Sequence, residues 1–237
     1  MSTVEKLDRL TADQLQAALP GAIIGRKSIV LEQTGSTNDA IWRVASTDAL
    51  PSMSIPEGLV VFAEHQTDGR GQRGNRWESA AGKGLWFSIL LRPEIQLSDS
   101  GRLTIWAIEA IADAIRIEFG LEPAIKLPND VQLFGHKVAG VLVEMRAQDK
   151  APHLAVVGIG INVNQSRDDF PAELRDNAIS LAMALSRQVD RQNFAVALLR
   201  TLDLTYREKF SKAVPSFNSS PATTTTRDKR AAKFRTA

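Results

Sequence analysis

The segment from Glu64 to Trp77 (EHQTDGRGQRGNRW) has the residue types of an anion-binding loop, with three glycines among three arginines. Glycines let consecutive backbone N–H groups approach an anion, and arginine supplies paired donors for phosphate or carboxylate. Gly69, Gly71 and Gly74 also match G-x-G-x-x-G, but the residues that follow lead into another strand instead of a helix. A dinucleotide-binding loop is therefore excluded. The alternative to an anion-binding loop is a surface hairpin with solvated arginines.

Two further segments combine polar turns with glycines inside apolar strands. In Lys126–Glu144 (KLPNDVQLFGHKVAGVLVE), the turn formers Asn129 and Asp130 follow a proline, and Lys137 places a cation at the start of an apolar strand. Val156–Asn164 (VVGIGINVN) contains two more glycines. Glycine inside a strand indicates close approach by a ligand or by another backbone. A plain hairpin also explains the first segment alone, and helix packing explains the second alone equally well.

The elements around these segments predict an α+β domain. Hydrophobic runs of strand length and periodic helical stretches alternate unevenly, with adjacent strands and helices set apart, which is typical of a mixed β-sheet packed by helices. We predict strands at 29–32, 58–64, 85–91, 124–127, 131–134, 138–145 and 153–164, and helices at 38–45, 99–119, 178–185 and 191–210.

Composition restricts the class of protein. The chain has 237 residues, of which 43% are hydrophobic and 24% charged, as in ordinary globular proteins. It contains no cysteine, which excludes disulfide scaffolds, zinc–thiolate sites and cysteine nucleophiles. No apolar run is long enough to span a membrane and the charged N-terminus is unlike a signal peptide, so we expect a cytoplasmic protein. The net charge of +2 rests on a basic C-terminal tail, so the body offers no strongly basic surface for nucleic acid.

Five motifs follow one another along the chain: GSTND at 35–39, QTDGRGQRGNRW at 66–77, KLPND at 126–130, KVAGVLVE at 137–144 and VGIGINVN at 157–164. Taken together, they resemble the biotin protein ligases in order and spacing, over roughly residues 28–212. The resemblance implies a catalytic domain of the class II aminoacyl-tRNA synthetase/biotin ligase-like fold. That family forms biotinyl-5′-adenylate from biotin and ATP with Mg²⁺, and then transfers biotin to a lysine of a biotin carboxyl carrier domain.

The resemblance implies a role for each motif. Biotin-binding residues would be Ser36, Thr37, Asn38, Gln66, Arg70, Gly71, Gln72, Lys137, Gly140 and Gly158. ATP-binding residues would be Gln72, Asn75, Trp77, Asn129, Asp130 and Asn162. The catalytic residues would be Arg70, Lys137 and Asp130, with Lys137 neutralising the biotin carboxylate and the α-phosphate during in-line attack. The glycines would give biotin room. The only metal expected is the Mg²⁺ of the nucleotide.

Two alternatives remain open, and departures from the family pattern support one of them. Gln72 and Asn75 stand where the family loop often has arginine, and Leu127 stands for a tryptophan. Weaker charge in the loop would reduce affinity for ATP or the adenylate. One alternative is therefore a biotin-binding regulator that has lost catalysis. The other is a lipoate or octanoate transferase, which shares the fold and the transfer of an acyl group to lysine, although KLPND together with GRGQRGNRW favours biotin.

The expected domain organisation has three parts. Residues 1–28 form a short helical segment that is too small for the winged-helix DNA-binding domain of bifunctional members. Residues 29–212 form the catalytic domain. Residues 213–237 form a low-complexity basic tail, expected to be disordered, where family members usually carry an SH3-like domain. The expected partner is a carrier domain of a biotin-dependent carboxylase, without DNA or membrane binding, and the resemblance also allows a homodimer.

Overall fold

Seven strands and five helices make up the computed structural model, which describes residues 8–45, 55–148 and 152–210. The strands are β1 (Ser28–Thr34), β2 (Val60–Gln66), β3 (Gly84–Leu91), β4 (Ala124–Lys126), β5 (Asp130–Leu133), β6 (His136–Arg146) and β7 (Leu154–Asn162). The helices are α1 (Ala12–Ala17), α2 (Thr37–Ala45), α3 (Gly101–Phe119), α4 (Leu181–Leu185) and α5 (Arg191–Phe210).

The strands form one mixed sheet in the order β1-β2-β3-β7-β6-β5-β4. Only β1 and β2 run parallel, and every other neighbouring pair is antiparallel. The register of the central strands pairs Gly158 with Ser88 of β3 and Gly160 with Gly140 of β6. Three glycines therefore meet near the middle of the sheet. The predicted α+β class is confirmed.

The two faces of the sheet have different roles because side chains alternate along a strand. On β7, Ala155, Val157 and Ile159 belong to the main core, which α3 and α5 cover. Val156 belongs to a smaller core with residues of α2. Gly158 and Gly160 share the face of Val156. Because α2 covers only part of that face, the glycines lie in a depression beside it.

Most predicted elements are confirmed, and α3 ends as expected at Gly120, which has a φ of +64° and donates to Arg116 O. The predicted start of a helix at residue 178 is wrong, since α4 begins at Leu181. Ser180 caps that helix by accepting a hydrogen bond from the Met183 N–H at 3.1 Å. The preceding residues are extended, and the Ile179 N–H donates to the carbonyl of Lys137 at 3.0 Å.

The described part of the N-terminal segment packs into the main core. Leu10, Leu15, Leu19 and Ile24 are all buried there. Residues 1–7 and the predicted tail at 213–237 lie outside the described residues. None of the described helices is long and apolar enough to cross a membrane.

Candidate active site

The depression beside α2 has a floor of glycines because larger side chains would meet neighbours. A Cβ at Gly158 would lie 2.4 Å from Asn38 Oδ1, and a Cβ at Gly160 would lie 2.5 Å from the indole of Trp77. A Cβ at Gly140 would lie 2.8 Å from the same indole. The floor therefore admits an aromatic ring and an amide directly against the backbone.

One corner of the cavity is built from uncharged polar groups at the start of α2. Gln66, the last residue of β2, accepts a hydrogen bond from the Thr37 N–H at 2.9 Å. Ser88 Oγ donates to Asn38 Oδ1 at 2.6 Å and lies 2.7 Å from Thr37 Oγ1. The other amide atom of Asn38, Nδ2, is buried and has no hydrogen-bond partner among the described residues. This corner can therefore donate to a neutral acceptor on a ligand.

The Gly-rich loop between β2 and β3 forms the upper wall. Arg70 and Arg76 pair in an isolated antiparallel bridge, and the Gly71 N–H donates to Asn75 O at 2.7 Å. At the tip, Arg73 and the following glycine have φ values of +58° and +78°, which turn the chain back. Trp77 follows the loop and packs edge-to-face on Trp86 at 6.0 Å. The loop is thus a narrow hairpin, and Trp77, directly after it, lies on the glycine floor.

The opposite side of the cavity carries a cation beside a carboxylate. Lys137 Nζ lies 2.6 Å from Asp130 Oδ1 and 5.2 Å from the centroid of the Trp77 ring. The backbone of Lys137 is held by a neighbouring segment, since its N–H donates to Asn177 O at 2.8 Å. Asn129 donates through Nδ2 to Val141 O at 3.0 Å, which fixes the turn before β5. The ammonium group therefore faces the cavity from a rigid strand.

The cavity that these groups enclose has a volume of about 200 Å³. Ligand pockets usually measure about 300–1,000 Å³. Trp77 and Asn38 lie directly above the floor glycines. That these glycines give biotin room stays a prediction; in this structure the side chains of Trp77 and Asn38 lie against them.

Residues 30–162 match the sequence model of the Biotin/lipoate A/B protein ligase family. The chain belongs to this family. It is 35% identical over 205 residues to the bifunctional ligase/repressor BirA of Bacillus subtilis, covering 86% of this chain and 61% of that protein. It is 34% identical over 206 residues to the biotin–[acetyl-CoA-carboxylase] ligase of Mycobacterium tuberculosis, covering 83% of this chain and 72% of that protein.

Solved structures of the same family share the fold. The biotin protein ligase from Aquifex aeolicus in complex with biotin and ATP superimposes with a TM-score of 0.64 at 29% identity, over 79% of this chain and 74% of that chain. A mutant of the same ligase in complex with biotin gives a TM-score of 0.63 at 29% identity, over 78% of this chain and 72% of that chain. The class II aminoacyl-tRNA synthetase-like catalytic fold is therefore confirmed. The chain spans 61% of the length of the Bacillus relative.

The structure brings all but one of the predicted site residues of this family member to the cavity. The residues that line it are Ser36, Thr37, Asn38, Gln66, Arg70, Gly71, Gln72, Asn75, Trp77, Asn129, Asp130, Lys137, Gly140 and Gly158. Asn162 is the exception. It is buried beneath the wall, where Nδ2 lies 3.2 Å from Ile179 O and 3.4 Å from Lys137 O. Asn162 therefore contacts the backbone of Lys137 and does not line the cavity.

Three residues that hold the site together were not predicted from the sequence. Ser88 orders Asn38, and both Asp39 and Glu144 form ion pairs with Arg70. Ser88 had a detectable signal, because it is the one polar residue in the apolar run of β3. The two carboxylates had none, since their partner lies far away along the chain.

Proposed function

We propose that the protein ligates biotin to a lysine of a biotin carboxyl carrier domain through a biotinyl-5′-adenylate formed from biotin and ATP. The observation that carries the proposal is the division of one cavity into a neutral polar corner and a cationic wall. A ureido ring is neutral and polar, whereas the reacting carboxylate and phosphates are anionic. A ligand with a neutral polar ring at one end and anionic groups at the other would contact both sides of this cavity.

The neutral corner suits the ureido ring of biotin. The buried Asn38 Nδ2, which has no partner among the described residues, can donate to the ureido carbonyl. Serine and threonine hydroxyls at the start of α2 can donate or accept, so they fit a ring that has both N–H groups and a carbonyl. A buried unsatisfied donor costs about 1–3 kcal/mol, and a ligand that satisfies it recovers this cost.

The cationic wall suits the adenylation step. An oxygen of the biotin carboxylate attacks the α-phosphorus of ATP, the bond from that phosphorus to the bridging oxygen breaks, and pyrophosphate leaves. Lys137 lies where it can stabilise charge that develops on the α-phosphate, a role that depends on its fixed position. In the second step, the amine of the acceptor lysine attacks the acyl carbon, loses a proton, and AMP leaves.

Mg²⁺ would enter this site with the nucleotide. Among the described residues no group of three or more His, Cys, Asp or Glu side chains could hold a metal ion. Asp130 and Asn129 offer the oxygen atoms that Mg²⁺ prefers, and Asp130 lines the cavity. When bound, the ion would neutralise charge on the phosphates. Lys137 would then neutralise part of the negative charge on the phosphates, and Asp130 would bind the metal ion.

The partners we propose are a carrier domain and a second copy of the chain. Strand β6 continues to Arg146, whereas its pairing with β5 reaches only Gly140. The later part of β6 thus has one sheet edge that pairs with no other described strand, and such edges accept a strand from another chain. The proposal includes neither DNA nor a membrane, and the location we propose is the cytoplasm, where ATP and a carboxylase acceptor are available.

A transfer assay tests the proposal. The protein is incubated with ATP, Mg²⁺, biotin and a purified biotin carboxyl carrier domain, and the acceptor is analysed by intact-mass spectrometry. We expect a single biotinyl addition, absent when the acceptor lysine is replaced by arginine. Lipoate and octanoate are tested in parallel. Modification by lipoate or octanoate but not by biotin would refute the proposal and favour a transferase of the same fold.

Ser88→Ala tests the neutral corner separately. We expect the Kd for biotin to rise about 5- to 30-fold, because loss of the Ser88 hydroxyl leaves Asn38 and Thr37 with unsatisfied groups worth about 1–2 kcal/mol. Isothermal calorimetry measures the change. Thr104→Ala, which removes a buried hydroxyl from α3 on the other face of the sheet, is the matched control. Equal affinity for biotin in Ser88→Ala and wild type would show that Ser88 has no part in biotin binding.

A further inference from the structure

Two carboxylates from different elements hold Arg70 at the base of the loop. Its Nη2 lies 2.7 Å from Asp39 Oδ1 on α2 and 3.0 Å from Glu144 Oε1 on β6. The other carboxylate oxygen of Glu144 accepts a hydrogen bond from Trp42 Nε1 at 2.7 Å. The guanidinium of Arg146 stacks on the Trp42 ring at 3.9 Å. We refer to Asp39, Glu144 and Trp42 as the loop anchor.

The loop anchor acts at the point where the loop closes. Arg70 and Arg76 form the bridge that joins the two ends of the hairpin, so fixing Arg70 fixes the hairpin base. Neither anchoring carboxylate lines the cavity, although Arg70 does. Among the described residues, none accepts a hydrogen bond from Nε or Nη1 of Arg70. The arginine is therefore anchored through one nitrogen while its other donors remain for a ligand.

We propose that Asp39 and Glu144 are positioning residues that keep the loop over the cavity and so retain the biotinyl-adenylate. This inference rests on the proposed function. Both ion pairs must break before the base of the loop can move away, so they stabilise the closed position of the loop relative to open ones. Without the anchor the loop opens more often and the adenylate leaves faster. Adenylate formation itself continues, because Lys137 and Asp130 come from the opposite wall.

Charge removal with little change of shape tests the loop anchor. Glu144→Gln keeps an acceptor for Trp42, and Asp39→Asn keeps its size. Because the ion pairs are partly exposed, we expect the dissociation rate of preformed biotinyl-adenylate to rise about threefold in each single variant and about tenfold in the double variant. The kcat for adenylation at saturating substrates stays within about twofold of wild type, since neither residue touches the reacting groups.

Glu78→Gln is the matched control for the loop anchor. It breaks a 3.4 Å ion pair between Arg76 and Glu78 on the same loop but outside the anchor. We expect wild-type retention of the adenylate. If Glu78→Gln releases the adenylate as fast as Glu144→Gln does, or if kcat falls in parallel with retention, the positioning role is overturned.

A second readout keeps this inference separate from the proposed function. Trypsin cleavage after Arg73, at the tip of the loop, is followed in the ligand-free protein. The double variant is expected to be cleaved several-fold faster than wild type or Glu78→Gln, because more frequent opening exposes the tip. If the wild-type protein forms no adenylate, the proposed function fails, while the cleavage rates still show whether the loop anchor holds the loop in place. Equal cleavage rates overturn it.

Discussion

Lys137→Ala is expected to lower the rate of adenylate formation by about 10²- to 10³-fold, the range for loss of one fixed group that stabilises transition-state charge. Lys137 Nζ is 2.6 Å from Asp130 Oδ1 and faces a cavity whose other wall is the arginine-bearing loop. Its backbone is bonded on both sides to the segment before α4. The ammonium group of Lys137 is therefore held at a fixed point, and a lysine on a mobile, solvated segment could not stabilise the transition state as well.

Single-turnover formation of biotinyl-adenylate measures this prediction for Lys137. Lys126→Ala is the matched control, because Lys126 is an exposed lysine of β4 and does not line the cavity. The control should retain wild-type rates. Since alanine removes one partner of the Asp130 ion pair, thermal unfolding is measured alongside. A folded Lys137→Ala variant with activity within a few-fold of wild type would contradict the electrostatic role.

Gly158→Ala is expected to weaken biotin binding by about tenfold or more, since overpacking costs about 1–3 kcal/mol. A Cβ at this position would lie 2.4 Å from Asn38 Oδ1. Asn38 cannot move without cost, because Ser88 Oγ bonds the same oxygen at 2.6 Å. The alanine therefore displaces the amide that the neutral corner offers to the ligand. Calorimetry with biotin measures the loss.

Gly101→Ala controls for the substitution at Gly158. No heavy atom other than the chain neighbours and the helix's own backbone lies within 4 Å of a Cβ built on Gly101. Alanine there should leave both the fold and biotin binding unchanged. If Gly158→Ala binds biotin as well as Gly101→Ala does, the contact between Asn38 and the floor has no part in recognition.

Local chemistry made much of the fold predictable. The apolar stripe of α3 and the terminating Gly120 indicate that helix without any tertiary information, and its end is at the predicted residue. The strands follow from runs that alternate or are largely apolar, such as β3, in which every residue is buried and only Ser88 is polar. The motifs around the cavity also lie where turns and strand ends should place them. Each of these features depends on neighbouring residues alone.

Contacts between distant residues were not predictable. Asp39 and Glu144 belong to recognised motifs, yet nothing in either motif indicates that both meet Arg70. Asn162 was expected at the nucleotide and lies on the same strand face as Gly158 and Gly160. The segment before α4 packs against it there, and its Nδ2 lies 3.2 Å from Ile179 O and 3.4 Å from Lys137 O. The floor glycines indicated a close approach correctly. They could not indicate that Trp77 would be the group that makes it.

Biotin-dependent exchange of pyrophosphate into ATP measures directly whether this cavity forms biotinyl-adenylate. It isolates the first half-reaction and needs no acceptor, so it reports only on the cavity, ATP, Mg²⁺ and biotin. We predict exchange with biotin, none with lipoate or octanoate, and loss of exchange in Lys137→Ala. A protein that binds biotin in calorimetry but gives no exchange would contradict the account and would be a binding protein without ligase chemistry.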